Sequence, residues 1–155
     1  MDTKNSVTLT PVQRLAHSEL AGEIEFLTAR MRSQGSTRAN LLLAPLGLKV
    51  RSYSVLSLAC SDLAPTQREL AEFLSLDPSQ IVPLVDQLES RGLVERVTSP
   101  NDRRTKVIAG TPAGQDLYTQ ARKATGEAEE VSLKALSAAE RETLRDLLTR
   151  IAFDA

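Results

Sequence analysis

Apolar residues recur at helical spacing near the start of the chain. They lie four, three and four positions apart, which places them on one face of an α-helix. Thr10 followed by Pro11 is a favourable helix start. The pattern therefore predicts one long helix over residues 11–43, with a bend near Gly35. A stripe of this kind on a terminal helix serves either the core or a partner chain. The stripe consists of Leu20, Ile24, Leu27 and Met31.

The next two helical segments are shorter. A proline and Gly47 interrupt the chain, and residues 49–61 are then apolar on most faces of a helix, which is typical of a central position. Thr66 and Glu69 have the T-x-x-E spacing of a capping box, in which each side chain accepts from the other's backbone N–H group. This spacing predicts a short helix that ends near residue 75.

A third helix has the most strongly specified start in the chain. It lies in LDPSQIVPLVDQLESRGLVER, residues 76–96, where Asp77 is a good N-cap, Pro78 suits the first helical position and Gln80 completes a capping box. Gly92 marks its C-terminal end. Two helices joined by a short turn, the second so clearly delimited, predict a helix-turn-helix. Its buried face is predicted to hold Ile81, Leu84, Val85 and Leu88.

Pro83 is unusual because it would be the sixth residue of this helix. It cannot donate to the carbonyl group of Ser79, and its ring presses on that carbonyl at a local cost of about 3 kcal/mol. A helix beginning at Pro83 would leave the start signals at residues 77–80 unused, so we expect a continuous helix with a kinked first turn. Two interpretations of Pro83 carry equal weight: a functional role, or a substitution tolerated at the surface.

The sequence period then changes from helical to extended. Val94 and Val97 mark one strand, Val107 and Ile108 mark another, and the polar residues 98–104 between them predict a hairpin loop. A hairpin directly after a helix-turn-helix makes the motif winged. Two more helices are predicted after it, one starting at a Thr-Pro pair and the last at an S-x-x-E capping box.

The charge of the chain is nearly balanced, with 19 basic residues, 20 acidic residues and a formal net charge of −1. A uniformly basic nucleic-acid-binding protein is therefore excluded. The distribution is uneven, because residues 96–106 hold four basic side chains and one acidic one, whereas residues 127–146 hold three basic and six acidic ones. A basic hairpin opposite acidic helices would orient the molecule on a polyanion. A solvated charged loop is the alternative interpretation.

Few residues in the chain are suited to catalysis or metal binding. The single cysteine, Cys60, has apolar helical surroundings and is interpreted as a core residue rather than a redox sensor. His17 is the single histidine and has no cysteine near it, which argues against a zinc site. The sequence contains neither a glycine-rich phosphate loop nor a nucleophile–histidine pair. We therefore expect a protein that is not an enzyme and needs no cofactor.

The sequence also predicts the cellular location of the protein. No apolar run approaches the length of a membrane span. The first ten residues lack the apolar core of a signal peptide. A cytoplasmic protein without membrane contact is expected.

Three segments together resemble the winged helix-turn-helix of MarR-type transcriptional regulators. They are QRELAEFL at residues 67–74, LVDQLESRGLVER at residues 84–96, and DRR followed by TPAG within residues 102–114. Each segment is a weak indication alone, but their order and spacing are specific. The resemblance covers most of the chain from about residue 41.

The resemblance implies a mainly α fold with a small β-hairpin wing. Residues 45–111 would form a winged helix-turn-helix DNA-binding lobe, and residues 1–44 and 112–155 a helical dimerisation region. Members of this family are homodimers that bind a pseudo-palindromic operator in double-stranded DNA, and many respond to small aromatic acids or phenols. We expect the same of this chain, with release by a small aromatic ligand. The alternative is a winged-helix protein-interaction module with weak or lost DNA binding.

The family's DNA contacts can be carried over residue by residue. The second helix of the motif would enter the major groove. Around Val82 and Pro83 this chain departs from the many family members that carry Thr or Arg there, and these two residues could offer apolar contacts to thymine methyl groups. The family's Asp-x-Arg pair maps onto Asp102 and Arg104, where the carboxylate would pair with the guanidinium and aim it into the minor groove. The remaining candidate residues would contact phosphates or lie beside the residues that face the bases. The expected DNA-binding residues are Thr66, Gln67, Ser79, Gln80, Val82, Pro83, Asp86, Gln87, Arg91, Asp102, Arg103, Arg104 and Lys106.

The resemblance also implies an effector pocket. It would lie where the first two helices meet the long helix after the wing. The family's oxidant-sensing branch uses a cysteine in the first helix, whereas Cys60 lies in the second, so peroxide sensing is not expected. The polar or aromatic candidates for ligand contact are Arg14, His17 and Tyr53.

Overall fold

The computed structural model describes residues 9–153, in which seven α-helices accompany one antiparallel pair of strands. The predicted fold class, mainly helical with a hairpin wing, is confirmed. Short 3-10 turns at Glu19–Gly22 and Ala44–Leu46 separate the first three helices. The elements are α1 Pro11–Leu15, α2 Ile24–Leu43, α3 Val50–Ala59, α4 Gln67–Phe73, α5 Pro78–Ser90, β1 Val94–Thr98, β2 Lys106–Gly110, α6 Pro112–Ser132 and α7 Ala138–Phe153.

The prediction of one long first helix is wrong, because the chain is interrupted between α1 and α2. Ser18 Oγ donates to the carbonyl oxygen of Leu15 at 2.7 Å, and the turn Glu19–Gly22 follows. A serine side chain that takes a backbone carbonyl in this way competes with helical hydrogen bonding. His17 consequently lies in a turn and not on a helix. Helix α2 runs unbroken through Gly35, where a bend was expected.

The main hydrophobic core lies where α3, α4 and α5 meet the hairpin. Ile81, Val85 and Leu88 are fully buried, as the period of α5 predicts, whereas Leu84 is only partly buried. Burying side chains of this size stabilises the fold by roughly 1.5–3 kcal/mol each relative to exposure. Further fully buried members of the core are Leu43, Val55, Leu56, Leu70, Val94 and Ile108.

The start and end of α5 agree with the sequence. Asp77 Oδ1 accepts from the backbone N–H of Ser79 at 2.8 Å, and Gln80 Oε1 accepts from the backbone N–H of Asp77 at 3.3 Å. The hydrogen bonds from Ser79 lower the pKa of the Asp77 carboxyl. Gly92 follows the helix with a φ of 68°, a left-handed conformation that suits glycine. Pro83 lies inside the helix and does not begin it.

The base of the wing is joined tightly to α6. Strands β1 and β2 pair along their full length, and Thr111 continues directly from them. The Thr111 N–H donates to Leu93 O at 3.1 Å, and its hydroxyl donates to Gly92 O at 2.6 Å. A Cβ atom at Gly114 would lie 1.9 Å from Leu93 O. Only glycine therefore fits in the first turn of α6.

The helices outside the winged lobe bury few apolar side chains. Helices α1 and α7 contain no buried residue, and the single buried residue of α2 is Leu43. The predicted apolar stripe is exposed, with Ile24 at 74% and Met31 at 40%. This stripe does not serve the core of the single chain.

No individual helix within residues 9–153 combines the length and apolarity of a membrane span. The pair Ile24–Leu46 and Val50–Ala59, bent by 68°, meets those criteria jointly by length and composition.

Candidate nucleic-acid interface and ligand cavity

The predicted DNA-binding residues lie at the surface of α5, the wing and the start of α4. Thr66 and Gln67 are half-buried at the start of α4. Thr66 is the N-cap of this helix, and its Oγ1 accepts from the backbone N–H of Glu69 at 3.2 Å. The others are exposed and accessible to a partner molecule. The exposed residues are Ser79, Gln80, Val82, Pro83, Asp86, Gln87, Arg91, Asp102, Arg103, Arg104 and Lys106.

The acidic residue of the wing contacts the loop backbone and not the Arg104 side chain. Asp102 Oδ1 accepts from the backbone N–H of Arg104 at 2.9 Å, and Oδ2 accepts from the Thr105 hydroxyl at 2.8 Å. The bond from Arg104, followed by that from Thr105, lowers the pKa of the Asp102 carboxyl. The expected ion pair of Asp102 with the Arg104 guanidinium is absent from residues 9–153. A short aspartate side chain reaches a backbone amide two residues on more readily than a distant guanidinium.

Arg96 on β1 joins the wing to both helices of the helix-turn-helix. Its Nη2 lies 2.5 Å from Asp86 Oδ1, Nη1 is bonded to Glu89 Oε2, and Nε donates to Gln67 Oε1 at 2.8 Å. The hydrogen bond with Asp86 is the main cause of a raised pKa for Arg96. The charge count of the sequence assigns Arg96 to the basic wing, but two carboxylates offset its charge. The spacing of Asp86 and Glu89 by three positions on α5 is the signal that could have revealed the cluster.

Two other predicted phosphate contacts are held by the protein. The Arg91 guanidinium donates to Gly47 O at 2.8 Å and to Leu46 O at 3.0 Å, which closes the turn before α3 against the end of α5. Lys106 Nζ donates to Thr98 Oγ1 at 2.9 Å across the hairpin. Both residues thus stabilise the helices and strands that carry the predicted DNA-binding residues.

The tip of the wing presents exposed positive charge near α5. Within the described part of the chain, the guanidinium groups of Arg103 and Arg104 have no hydrogen-bond or ion-pair partner. The loop turn closed by Asp102 holds both residues outward. They are therefore able to meet an anionic partner without first breaking a contact within the protein.

A cavity of about 610 Å³ lies between α2, α3, α6 and α7. Its volume falls within the range of small-molecule sites, about 300–1,000 Å³. Tyr53 lines the cavity and stacks on Tyr118 with 6.2 Å between ring centroids. Arg14 and His17, the other predicted ligand contacts, do not line it and lie on exposed parts of the N-terminal segment.

Basic side chains line the same cavity. Arg141 is already committed, because Nη1 lies 2.5 Å from Glu130 Oε2 and Nε donates to two backbone carbonyls. Arg145 pairs with Glu142 at 2.6 Å. Arg32 has no ion-pair partner among residues 9–153. Arg32 is not among the residues that the sequence predicts for ligand contact, because nothing in its local sequence marks it as a cavity residue.

A second cleft, of about 940 Å³, is contiguous with the first cavity and reaches α5. Gln80 and Gln87 line its α5 side, Lys49 and Arg51 line its α3 side, and none of its lining residues within 9–153 is acidic. The two spaces share Arg32, Ser36, Val50 and Ser54.

A helix-turn-helix formed by α4 and α5, followed directly by a hairpin with a basic tip, defines a winged helix-turn-helix protein. The family model described as the MarR family matches residues 48–106. A Thauera aromatica protein described as a putative transcriptional regulatory protein for the hcr operon is 33% identical over 138 residues, which are 88% of this chain and 83% of that protein. The multiple antibiotic resistance protein MarR of Salmonella typhimurium is 33% identical over 114 residues, 72% of this chain and 78% of that protein.

Solved structures agree with this assignment. A MarR-family transcriptional regulator from Rhodococcus sp. RHA1 has a TM-score of 0.82 and 41% identity, covering 89% of this chain and 100% of that chain. CouR from Rhodococcus jostii RHA1, bound to p-coumaroyl-CoA, has a TM-score of 0.80 and 42% identity, covering 89% and 98%. The chain therefore belongs to the MarR family. Members of this family are transcriptional regulators and not enzymes.

Proposed function

We propose that this regulator binds a pseudo-palindromic operator in double-stranded DNA as a homodimer and is released by a small anionic ligand. The observation that carries DNA binding is the exposed outward face of α5 beside a wing whose Arg103 and Arg104 lack partners among the described residues. Helix α5 would enter the major groove. A guanidinium suits the narrow and strongly negative minor groove that the wing would reach.

The exposed apolar stripe of α2 supports the homodimer. Apolar side chains that stay exposed along α1, α2 and α7 of one chain form the kind of surface that a partner covers. A second copy of the chain supplies an equivalent stripe. The two-fold symmetry of such a dimer would be matched by two operator half-sites.

The side chains on the outward face of α5 determine which contacts with the operator bases are available. Gln80 Oε1 serves the N-terminal cap and Asp86 pairs with Arg96, so both side chains have partners within the protein. Gln87 remains for hydrogen bonds to base edges, and Val82 and Pro83 remain for contacts with thymine methyl groups. We propose that specificity also depends on the wing and on DNA shape.

The cavity between α2, α3, α6 and α7 is the proposed effector site. Its apolar lining suits an aromatic group against Tyr53, and Arg32 suits a carboxylate or phosphate. CouR was solved with p-coumaroyl-CoA, and the contiguous cleft in this chain offers room for the larger part of such an ester. The effector class is therefore an aromatic acid or its coenzyme A ester. Titrating each form into the protein–DNA complex distinguishes them.

The experiment that tests the DNA-binding function is footprinting on the DNA upstream of its own coding sequence, followed by affinity measurements over a salt series. We expect the affinity to fall steeply with salt, because each neutralised phosphate releases counterions. Arg104→Ala is expected to abolish the footprint on the wing side. Arg122→Ala, at an exposed position on α6, is the matched control and should leave binding unchanged. A folded dimer that binds no DNA, or binds independently of salt, would contradict the proposal and favour a protein-interaction module.

A further inference from the structure

We infer that Arg96 is a positioning residue for DNA binding. It fixes the reading helix and the start of α4 against the wing without contacting DNA itself. This inference rests on the DNA-binding function proposed above, and it assigns Arg96 a different role from the accessible arginines at the wing tip.

Side chains from α4 and α5 converge on the Arg96 guanidinium. All three guanidinium nitrogens have protein partners, two of them on α5 and one at the first residue of α4. The backbone N–H of Arg96 also donates to Glu89 Oε1 at 3.2 Å, so Glu89 holds both the side chain and the strand. Only 27% of the side chain is exposed. A planar guanidinium can serve acceptors in several fixed directions at once, which an ammonium group on a flexible stem does less well.

The electrostatic consequence concerns Asp86. Its side chain is 56% exposed on the outward face of α5, where an unpaired carboxylate would repel DNA phosphates. The guanidinium of Arg96 offsets that charge from the protein side. Asp86 can therefore lie next to a nucleic acid at a lower electrostatic cost than its position suggests.

The chemical consequence concerns Gln67. A guanidinium has donors and no acceptor, so the amide oxygen of Gln67 must face Arg96. The NH₂ group of the same amide is then directed to other partners, and a phosphate oxygen is a suitable acceptor for it. Gln67 thus acts as a donor toward DNA because Arg96 occupies its oxygen.

The test compares Arg96→Ala and Arg96→Lys with Arg103→Ala. Operator affinity is measured by fluorescence anisotropy at several salt concentrations, alongside the melting temperature and the sedimentation of each variant. We expect both Arg96 variants to lose affinity on the order of tenfold, because contacting residues couple strongly. Asp86→Asn removes the carboxylate that Arg96 offsets, so the slope of log affinity against log salt should be the same with and without Arg96→Ala in an Asp86→Asn background. Arg103→Ala should reduce that slope by about 0.9 for each phosphate that the variant no longer neutralises.

Two results would overturn the inference. A slope reduced as much by Arg96→Ala in the Asp86→Asn background as by Arg103→Ala would show that Arg96 neutralises a phosphate directly. Wild-type affinity in a folded Arg96→Ala variant would show that its contacts do not matter for binding. Absence of DNA binding by the wild-type protein is a different failure, because it removes the proposed function as well.

A double-mutant cycle keeps the inference testable if Arg96→Ala does not fold. It combines Gln67→Ala with the milder Arg96→Lys. We expect Gln67→Ala to weaken binding in the wild-type background and to have a much smaller effect beside Arg96→Lys, because the amide has already lost its orientation. Additive effects of the two changes would refute the proposed control of Gln67 by Arg96.

Discussion

The winged lobe and the helices that flank it differ in how they use apolar residues. Among the described residues of the lobe, the large apolar side chains are mostly buried, and the well-exposed exceptions are Leu63, Phe73 and Val82. In the flanking helices Leu43 is the large side chain that is fully buried, and the other buried apolar residues there are Ala121 and Ala128. The lobe therefore holds most of the core, whereas the flanks present apolar surface that the proposed dimer would cover.

The same difference in apolar burial affects how the two regions unfold. Helix α2 packs against α6, whose buried residues Gly114, Ala121 and Ala128 are small and remove little apolar area from water. If the flanks gain their stability mainly in the proposed dimer, their unfolding depends on protein concentration, while the core of the lobe does not. Substitutions in the core of the lobe should accordingly change the free energy of unfolding, whereas substitutions on the exposed stripe of the flanks should change dimer association.

The largest effect is expected from Leu88→Ala, in the core of the lobe. Leu88 is fully buried on the inner face of α5, so its truncation leaves a cavity and should destabilise the protein by about 2–5 kcal/mol. Denaturant unfolding measures this change. Val82→Ala, on the exposed side of the same helix, is the control and should stay within roughly 0.5 kcal/mol of wild type. Equal effects at both positions would refute the distinction between the two faces.

Ile24→Asp addresses the flank. Ile24 is 74% exposed in the single chain and is the first residue of α2, where an acidic side chain does not disfavour the helix. In a dimer the new carboxylate would be buried without a partner, so we expect a loss of about 3 kcal/mol in association, roughly a hundredfold in the dimer Kd. Sedimentation equilibrium measures it, with Ser33→Asp as a charge-matched control away from the stripe. An unchanged dimer would contradict the proposed interface.

Pro83→Ala examines the outward side of the lobe. Alanine restores the N–H group that the Ser79 carbonyl lacks, so the variant should be more stable by roughly 1–3 kcal/mol. If Pro83 contributes to sequence reading, the ranking of operator variants in a binding-site selection will also change. Greater stability with an unaltered ranking would leave Pro83 without a functional role.

The smallest effect is expected for the stability of the wing turn, which should decrease at acid pH. The Asp102 pKa is lower in the folded protein than in the unfolded chain, because the Arg104 N–H and the Thr105 hydroxyl donate to its carboxylate. The stabilisation is therefore complete above the unfolded pKa and is lost as the pH falls through the folded pKa. The protection factors of the Arg104 and Thr105 amides, obtained by NMR exchange relative to the intrinsic rate at each pH, should fall on acidification. Asp102→Asn keeps an acceptor but cannot titrate, so persistence of the same acid response in this variant would assign it elsewhere.

The sequence predicts those features of the fold that depend on near neighbours along the chain. The Asp77–Gln80 capping box, the left-handed Gly92 and the buried period of α5 each involve residues within a few positions, and the structure has all of them. The interruption before α2 is a local feature that was still missed. There the long apolar stripe outweighed the modest tendency of Ser18 to take a backbone carbonyl.

The candidate site was less predictable because its contacts join distant parts of the chain. Arg96 meets Gln67 across 29 positions, and Arg91 meets Gly47 across 44. No sequence period encodes such pairs, so both arginines were assigned to the basic surface. Arg14 and His17 were likewise placed near the ligand cavity by a continuous first helix that the structure replaces with a turn.

The junction of Thr111 and Gly114 with the end of α5 has a mechanical consequence. The two hydrogen bonds of Thr111 and the absence of a side chain at Gly114 leave the first turn of α6 no room to slide over the chain at Gly92 and Leu93. Helix α6 is also one wall of the ligand cavity. If α6 tilts as a rigid body, the base of the hairpin would move with it, so the wall of the cavity and the wing would shift together.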